Sequence, residues 1–421
     1  MKNTTLSIFF FLSGITAVSG QTWTQIPVPT SKQLNAIDFP SATVGYIGGN
    51  DSLLLKTTDG GQTWQRLSYS GVTFYPGNEH IINLQFVSET TGYMAIGPYT
   101  GTYKTTNGGT SWQPVTASPG FCHNEGLFFF DENNGFIAGS GCFQGELIDR
   151  QSNGAWSAAT LTFSTSDAEN RISDIDFHAS GFGIATSLGG RFLRTSDNGQ
   201  TWDSVISPLG TNGRLTSVAI VNDTLCFAGY ETDAVGFGLL ISTDAGLTWN
   251  EDMSSATFFY PDFYDVHVTG SGAVYTGGKP AQDNTGILFS MQSPDGWWNN
   301  QTVVETIYSI SSYNDSIVFA VGNNGYVITN ANPAELSVKE LDLQAELTVW
   351  PNPVEETVHF DSPVLQMDGE TTFRIYDAAG KMVQEGEAFH QEINVQSLRK
   401  GAYFLEIGQY GRNWNQRFVK E

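Results

Sequence analysis

The sequence predicts an all-β protein: a seven-bladed β-propeller closed by its N-terminal strand, followed by a small Ig-like β-sandwich. Three observations carry that expectation. Charged residues make up only 15% of the 421, while glycine numbers 46 and aromatics reach 13%. Long surface helices and coiled coils draw heavily on Glu and Lys, so this composition disfavours them. Second, one turn-bearing segment recurs, with tryptophans at 64, 112, 156, 202 and 249. That spacing suits a four-stranded blade. Third, the last fifth of the chain abandons the repeat for longer alternating strands.

The chain opens on one lysine, an apolar run at Leu6–Leu12 and small residues at Ala17, Ser19 and Gly20. This is the order of a secretory signal peptide, expected over residues 1–20. No later segment approaches the roughly 18 uninterrupted apolar residues of a membrane helix, so no transmembrane segment is expected in the mature chain. Export implies an oxidising compartment. Of three cysteines, Cys122 and Cys142 flank one blade and are candidates for a disulfide. Cys226 lies in an apolar run and reads as core. No Cys/His cluster has metal-ligand spacing, so neither a metal nor a cofactor is expected.

The propeller is expected over residues 21–332. Its repeat is a Ser/Thr, an Asp or Asn two residues on, one or two glycines, and a Trp seven residues after the Ser/Thr. The four good copies carry Asp59 and Trp64, Asn107 and Trp112, Asp197 and Trp202, and Asp244 and Trp249. Weaker copies end at Trp156 and at Trp297 or Trp298. The short polar side chains offer acceptors to backbone N–H groups across a tight connection. Glycine admits positive φ, and the Trp seals the blade edge. Inner strands begin near Leu34, Ile81, Asn124, Ile172, Leu215, Phe263 and Ile307, one for each of seven blades. The seventh stops without its Trp, whereas Thr22-Trp23-Thr24-Gln25-Ile26 resembles an orphaned last strand. Supplying it from the N-terminus would close the ring and remove the open sheet edges.

These turns resemble the Asp-box, or BNR, repeat of sialidases, sortilin-type receptors and photosystem-II-assembly-factor-like propellers. The resemblance implies a structural role at the blade periphery for Asp59, Asn107, Asp197 and Asp244. Sialidases also need three arginines around a carboxylate, the first in an Arg-Ile-Pro box. The nearest match here, Arg171-Ile172-Ser173, lacks the proline and sits in mid-ring.

Residues 333–346 read as a linker and 347–421 as a separate domain. Trp350-Pro351-Asn352-Pro353, Tyr376-Asp377 before Gly380-Lys381, Gly401-Ala402-Tyr403-Phe404-Leu405 and terminal Phe418-Val419-Lys420 follow in order. They resemble the type IX (Por) secretion C-terminal sorting domain. That likeness implies a Bacteroidota-type bacterium, type IX machinery as partner of residues 347–421, and a secreted or outer-membrane-surface location after export to the periplasm.

The formal charge is −24. Such acidity excludes nucleic acid as a partner, because there is no basic surface to displace phosphate counterions. Candidate chemistry lies on the inner strands. His80, His123, Arg171, Arg214 and Asp262 align with Gln33 and Thr306 at one level, with Glu125 close by, and form a candidate binding rim. The function expected is a non-catalytic interaction module with an extracellular glycan or protein ligand. The alternative is a secreted polysaccharide-degrading glycoside hydrolase using Asp174, Asp176 and Asp265, since such chemistry needs two carboxylates.

Overall fold

A computed structural model describes residues 22–331 and 348–421, except 116–120, 143–144, 164–169, 211–212, 232–237, 252–260, 281–284, 293–297, 314–315, 362–370, 378–380, 389–391 and 410–411. The expected signal peptide, Trp297 and the linker fall outside the described residues. Contacts divide the chain into two units, Met1–Ser337 and Val338–Glu421.

The first unit is a succession of antiparallel sheets. Sheet 1 runs through Leu34–Asp38, Gly45–Gly49, Leu53–Thr57 and Gln65–Arg66. Sheets 2 to 6 repeat this meander, starting from Ile81–Phe86, Phe121–Asp131, Ile172–Phe177, Arg214–Ile220 and Pro261–Val268. Sheet 7 has three strands of its own, Ile307–Ser312, Val318–Gly322 and Val327–Thr329, and takes its fourth, Thr24–Gln25, from the N-terminus. The register sets Thr24 opposite Thr329 and Gln25 opposite Ile328. Sheet 4 gains a fifth strand, because Thr160–Leu161 lies parallel to Thr201–Ile206.

Burial explains the repeat's composition. Second strands such as Gly45–Gly49, Gly92–Ile96 and Gly183–Ser187 are buried throughout, so they carry only small, aliphatic and aromatic side chains. Fourth strands are largely exposed. The core is correspondingly divided: seven apolar clusters each fill the gap between successive sheets, and one joins sheet 7 back to sheet 1. Aromatic pairs bridge the gaps, with ring centroids 3.6 Å apart for Tyr46–Phe86, 3.5 Å for Tyr93–Phe129, 4.3 Å for Phe136–Phe177 and 4.5 Å for Phe39–Phe319. Cys226 is buried in one such cluster, and burial pushes its thiol up to about 12.

The four Asp or Asn turns share one hydrogen-bond scheme. The Thr57 hydroxyl donates to Asp59 Oδ1 at 2.7 Å and accepts from the Gly61 N–H at 3.0 Å. Asp59 Oδ1 then accepts from the Thr63 N–H at 2.9 Å. Asn107, Asp197 and Asp244 repeat the arrangement. Gly61 takes φ +87°, and a Cβ there would collide with Phe319 of sheet 7. Trp112, Trp202 and Trp249 are buried, each donating its indole N–H to the turn glycine's carbonyl.

The copy ending at Trp156 is different. Sheet 3 turns there through a tight hairpin at Asn153 (φ 51°) and Gly154 (φ 82°), and Trp156 is only half-buried. Asn-Gly is the pair that a two-residue hairpin favours, and it replaces the longer acidic turn.

The second unit has a three-stranded sheet (Thr348–Trp350, Thr357–Asp361, Glu392–Asn394) and a four-stranded one (Thr372–Asp377, Met382–Glu387, Gly401–Gln409, Arg412–Lys420). Val358, Phe360, Ile375, Leu405 and Phe418 belong to a core that both sheets share.

Candidate functional site

The first strands of all seven sheets line one cavity of about 460 Å³. Its wall is polar, with Asn35, Asn83, Glu125, Ser173, Asp174, Thr216, Asp265 and Ser309, and aromatic at Tyr264 and Tyr308. Those two rings lie 5.3 Å apart.

Inner-strand side chains also fasten each sheet to the next. Asp174 Oδ2 accepts the Val218 N–H at 2.9 Å, Asp176 Oδ2 the Ile220 N–H at 2.7 Å, and Asp265 Oδ2 the Ile310 N–H at 2.6 Å. Asp38 does the same for Phe86, Gln85 for Phe129 and Ser309 for Ile37. First strands approach one another side by side without a full ladder, so their N–H groups need acceptors from side chains. Burial raises these carboxyls: Asp38 and Asp265 to about 7, Asp176 to about 6, and Asp174 well above its ordinary value. The backbone hydrogen bonds pull the other way without cancelling that desolvation.

The predicted candidates therefore separate. Asp174 and Asp265 share the cavity, and repulsion between them adds to the rise at Asp174. Asp176 does not line it; its other oxygen accepts the Phe177 N–H. Of the predicted rim, only Glu125 lines the cavity. Glu125 pairs with Arg171 across sheets 3 and 4 at 3.0 Å, and His123 Nδ1 stands 3.8 Å from it, beyond hydrogen-bond reach. Arg214 pairs with Glu231 at 3.0 Å and Asp262 faces Lys279 at 3.7 Å, each within its own sheet. His80 Nδ1 is buried and has no hydrogen-bond partner among the described residues. The rim's charges thus largely neutralise one another.

Cys122 and Cys142 are joined as a disulfide, with Cα atoms 4.9 Å apart. Tyr99 donates its N–H to the Cys122 carbonyl at 2.9 Å and stands at φ 68°, a left-handed conformation uncommon for a bulky residue. Its ring is 59% exposed, 5.5 Å from the 53% exposed Tyr75 and 6.1 Å from His123. Sequence reasoning missed this aromatic step and Tyr264–Tyr308, since single tyrosines in loops and strands carry no periodic signal.

No metal-ligating cluster occurs among the described residues, and no helix there is long and apolar enough to cross a membrane.

These features define a propeller-like, all-β chain with a separate C-terminal β unit. Residues 348–421 match the family described as the secretion system C-terminal sorting domain, and residues 15–122 match photosynthesis system II assembly factor YCF48. A photosystem II assembly lipoprotein Ycf48 from Synechococcus sp. (strain CC9902) is 26% identical over 231 residues, covering 54% of this chain and 64% of its own length. The chain thus spans less than two thirds of that relative. Among solved structures, YCF48 bound to D1 peptide aligns with TM-score 0.54 and 18% identity, over 74% of this chain and 97% of that one. An ancestral GH74 enzyme aligns with TM-score 0.53 and 13% identity, over 93% of this chain and 63% of its own. At such identities the likeness is one of fold. The sorting domain implies export through a type IX system to the cell surface or medium.

Proposed function

We propose that the chain is an exported, non-catalytic binding module: a seven-bladed Asp-box propeller over residues 21–332, closed by its N-terminal strand and delivered by an Ig-like sorting domain at 347–421. The signal peptide at 1–20 and a Bacteroidota-type host complete this reading. One observation carries the non-catalytic part. Asp174, Asp176 and Asp265 each hold an oxygen against a backbone N–H of the next sheet. A nucleophile or general acid must present its carboxyl to substrate, whereas these carboxyls hold the ring together.

The ligand proposed is a peptide or glycan lying across the channel mouth, over Tyr75, Tyr99 and His123, with Glu125 and Arg171 beside it. Exposed aromatic rings next to paired charges suit a polar chain. A fold neighbour solved with a peptide bound supports the peptide arm. Peptide and glycan arrays probed with the secreted protein test this reading. Binding should weaken at least tenfold in a Tyr75→Ala/Tyr99→Ala variant. Unchanged binding there would place the ligand elsewhere.

The alternative, a glycoside hydrolase, draws on Asp174 and Asp265 facing one cavity. Sugar release that disappears in Asp174→Asn and Asp265→Asn variants of unchanged melting temperature would establish it over the binding module. Separately, removing residues 348–421 is expected to leave the protein in the periplasm, as fractionation would report.

A further inference from the structure

At the opposite end of the strand that begins beside His123, sheet 3 and the Asn198 turn of sheet 4 line a second, open cavity of about 310 Å³. We propose that it binds a carboxylate-bearing sugar, a single hexuronate residue, through Arg150. This proposal is independent of the ligand at the channel mouth.

The argument starts from a repeated position. Sheets 1, 2 and 4 place a cation one residue before the turn threonine: Lys56, Lys104 and Arg194, opposite Tyr46, Tyr93 and Ile184. Each is engaged. Lys56 Nζ sits 5.0 Å from the Tyr46 ring centre. Lys104 Nζ donates to the Glu132 carbonyl at 2.7 Å and Arg194 Nε to the Ala245 carbonyl at 2.7 Å. Arg150, opposite Phe136, is their counterpart in sheet 3. Among the described residues nothing pairs with its guanidinium, and the group lines the cavity.

The adjacent position deviates too. Gln151 stands in the register of Thr57, Thr105 and Thr195, whose hydroxyls serve the acidic turns. Here the Asn153–Gly154 hairpin has replaced that turn. Gln151 is only 7% exposed, lines the same cavity, and among the described residues its Oε1 accepts no hydrogen bond. A buried amide oxygen without a donor is costly, so this site is incomplete as it stands.

The missing partner can be specified chemically. Arg150 calls for a planar anion that accepts two parallel N–H bonds, as a carboxylate does. Asp131 also lines the cavity but does not supply it: its oxygens already accept from Asn134 Nδ2 at 2.9 and 3.0 Å and from the Asn133 N–H at 2.7 Å. Phe130, 48% exposed at the edge, offers an apolar face to the C–H side of a pyranose ring. The volume sits at the bottom of the range of about 300–1,000 Å³ for ligand sites, which limits the occupant to about one sugar. On a chain of charge −24, an unpaired arginine between two sheets is the feature a uronate would recognise.

Titration calorimetry of the full exported chain with galacturonate, galactose and free glutamate, at low and high salt, tests the assignment. Galacturonate should bind saturably, at least tenfold more tightly than galactose or glutamate, and more weakly as salt rises. Arg150→Gln should abolish that binding with the melting temperature unchanged, and Arg150→Lys should retain part of it. Hydrogen exchange guards against a folding artefact, since galacturonate should protect residues 128–136 and 148–154 in the unmodified protein. Absent binding, equal binding of galactose, tighter binding of glutamate, protection elsewhere, or full binding by the Arg150→Gln variant would each overturn the proposal.

Discussion

Asp197 and Asp244 each spend both oxygens on their own turn. Asp197 receives the N–H and hydroxyl of Thr201 at 2.9 and 2.7 Å, and Asp244 those of Thr248 at 2.8 and 2.6 Å. At Asp244 the Thr248 hydroxyl is the chief cause that lowers the carboxyl below its ordinary value; at Asp197 the hydrogen bonds outweigh desolvation. Replacing either by Ala removes these turn hydrogen bonds, which are exposed, and should destabilise the fold by about 0.5–1.5 kcal/mol in urea unfolding. Trp202→Ala, which empties a fully buried site, should cost more, about 3–5 kcal/mol. If both kinds of variant unfolded at the wild-type midpoint, the turns would not be structural. The pattern Thr-x-Asp-x-Gly was legible in sequence because the scheme is local. The partners of Asp174 and Asp265 were not, since the N–H groups they accept lie 44 and 45 residues away.

Strand exchange is decided at the next scale. Thr24–Gln25 pairs with Val327–Thr329, Ile26 is buried, and the Trp23 ring meets Tyr275 edge-on at 6.2 Å. Deleting residues 22–26 should therefore lower the melting temperature of the whole first unit, and Trp23→Ala should do so to a smaller degree. Calorimetry would expose a local fray instead, as an unchanged main transition. The Cys122–Cys142 link closes a loop with a sequence separation of 20. Such a link contributes about 2–4 kcal/mol, so Cys122→Ser with Cys142→Ser should unfold at lower denaturant, and reductant should do the same to the wild type. Four of the turns were readable as elements in advance. In the weaker copy near Trp156 the recurring tryptophan conceals an Asn-Gly hairpin.

Across the whole molecule, two sets of carboxyls respond to pH in opposite senses. Asp38 and Asp265 titrate near 7 when folded and Asp176 near 6, against an ordinary value of 3.8. Between those values the folded state holds protons that the unfolded state has lost, so stability rises as pH falls from 8 towards 5. Their contribution is complete below 3.8 and fades as pH climbs through 7. Asp59, Asp197 and Asp244 are depressed instead. What they contribute is present above the ordinary carboxyl range and is lost on further acidification. The melting temperature should accordingly peak in mildly acidic solution, as a thermal series from pH 3 to 8 would reveal. A steady fall from pH 8 to 5 would contradict the raised carboxyls. Relief of repulsion in a chain of charge −24 acts in the same direction, and an Asp265→Asn variant with a shallower slope would separate the two causes.

The sequence alone determined the all-β character, the recurring Asp and Asn turns and the presence of a sorting tail, because each is written in neighbouring residues or in a period of fixed length. Only the tertiary structure decided that the inner carboxylates fasten sheet to sheet, that the rim charges pair off, and that Arg150 is left over. The carboxylate contacts, the Glu125–Arg171 pair and the idle Arg150 depend on which residue stands across a gap between sheets. That neighbour lies a full repeat away in the chain, where no local pattern reaches.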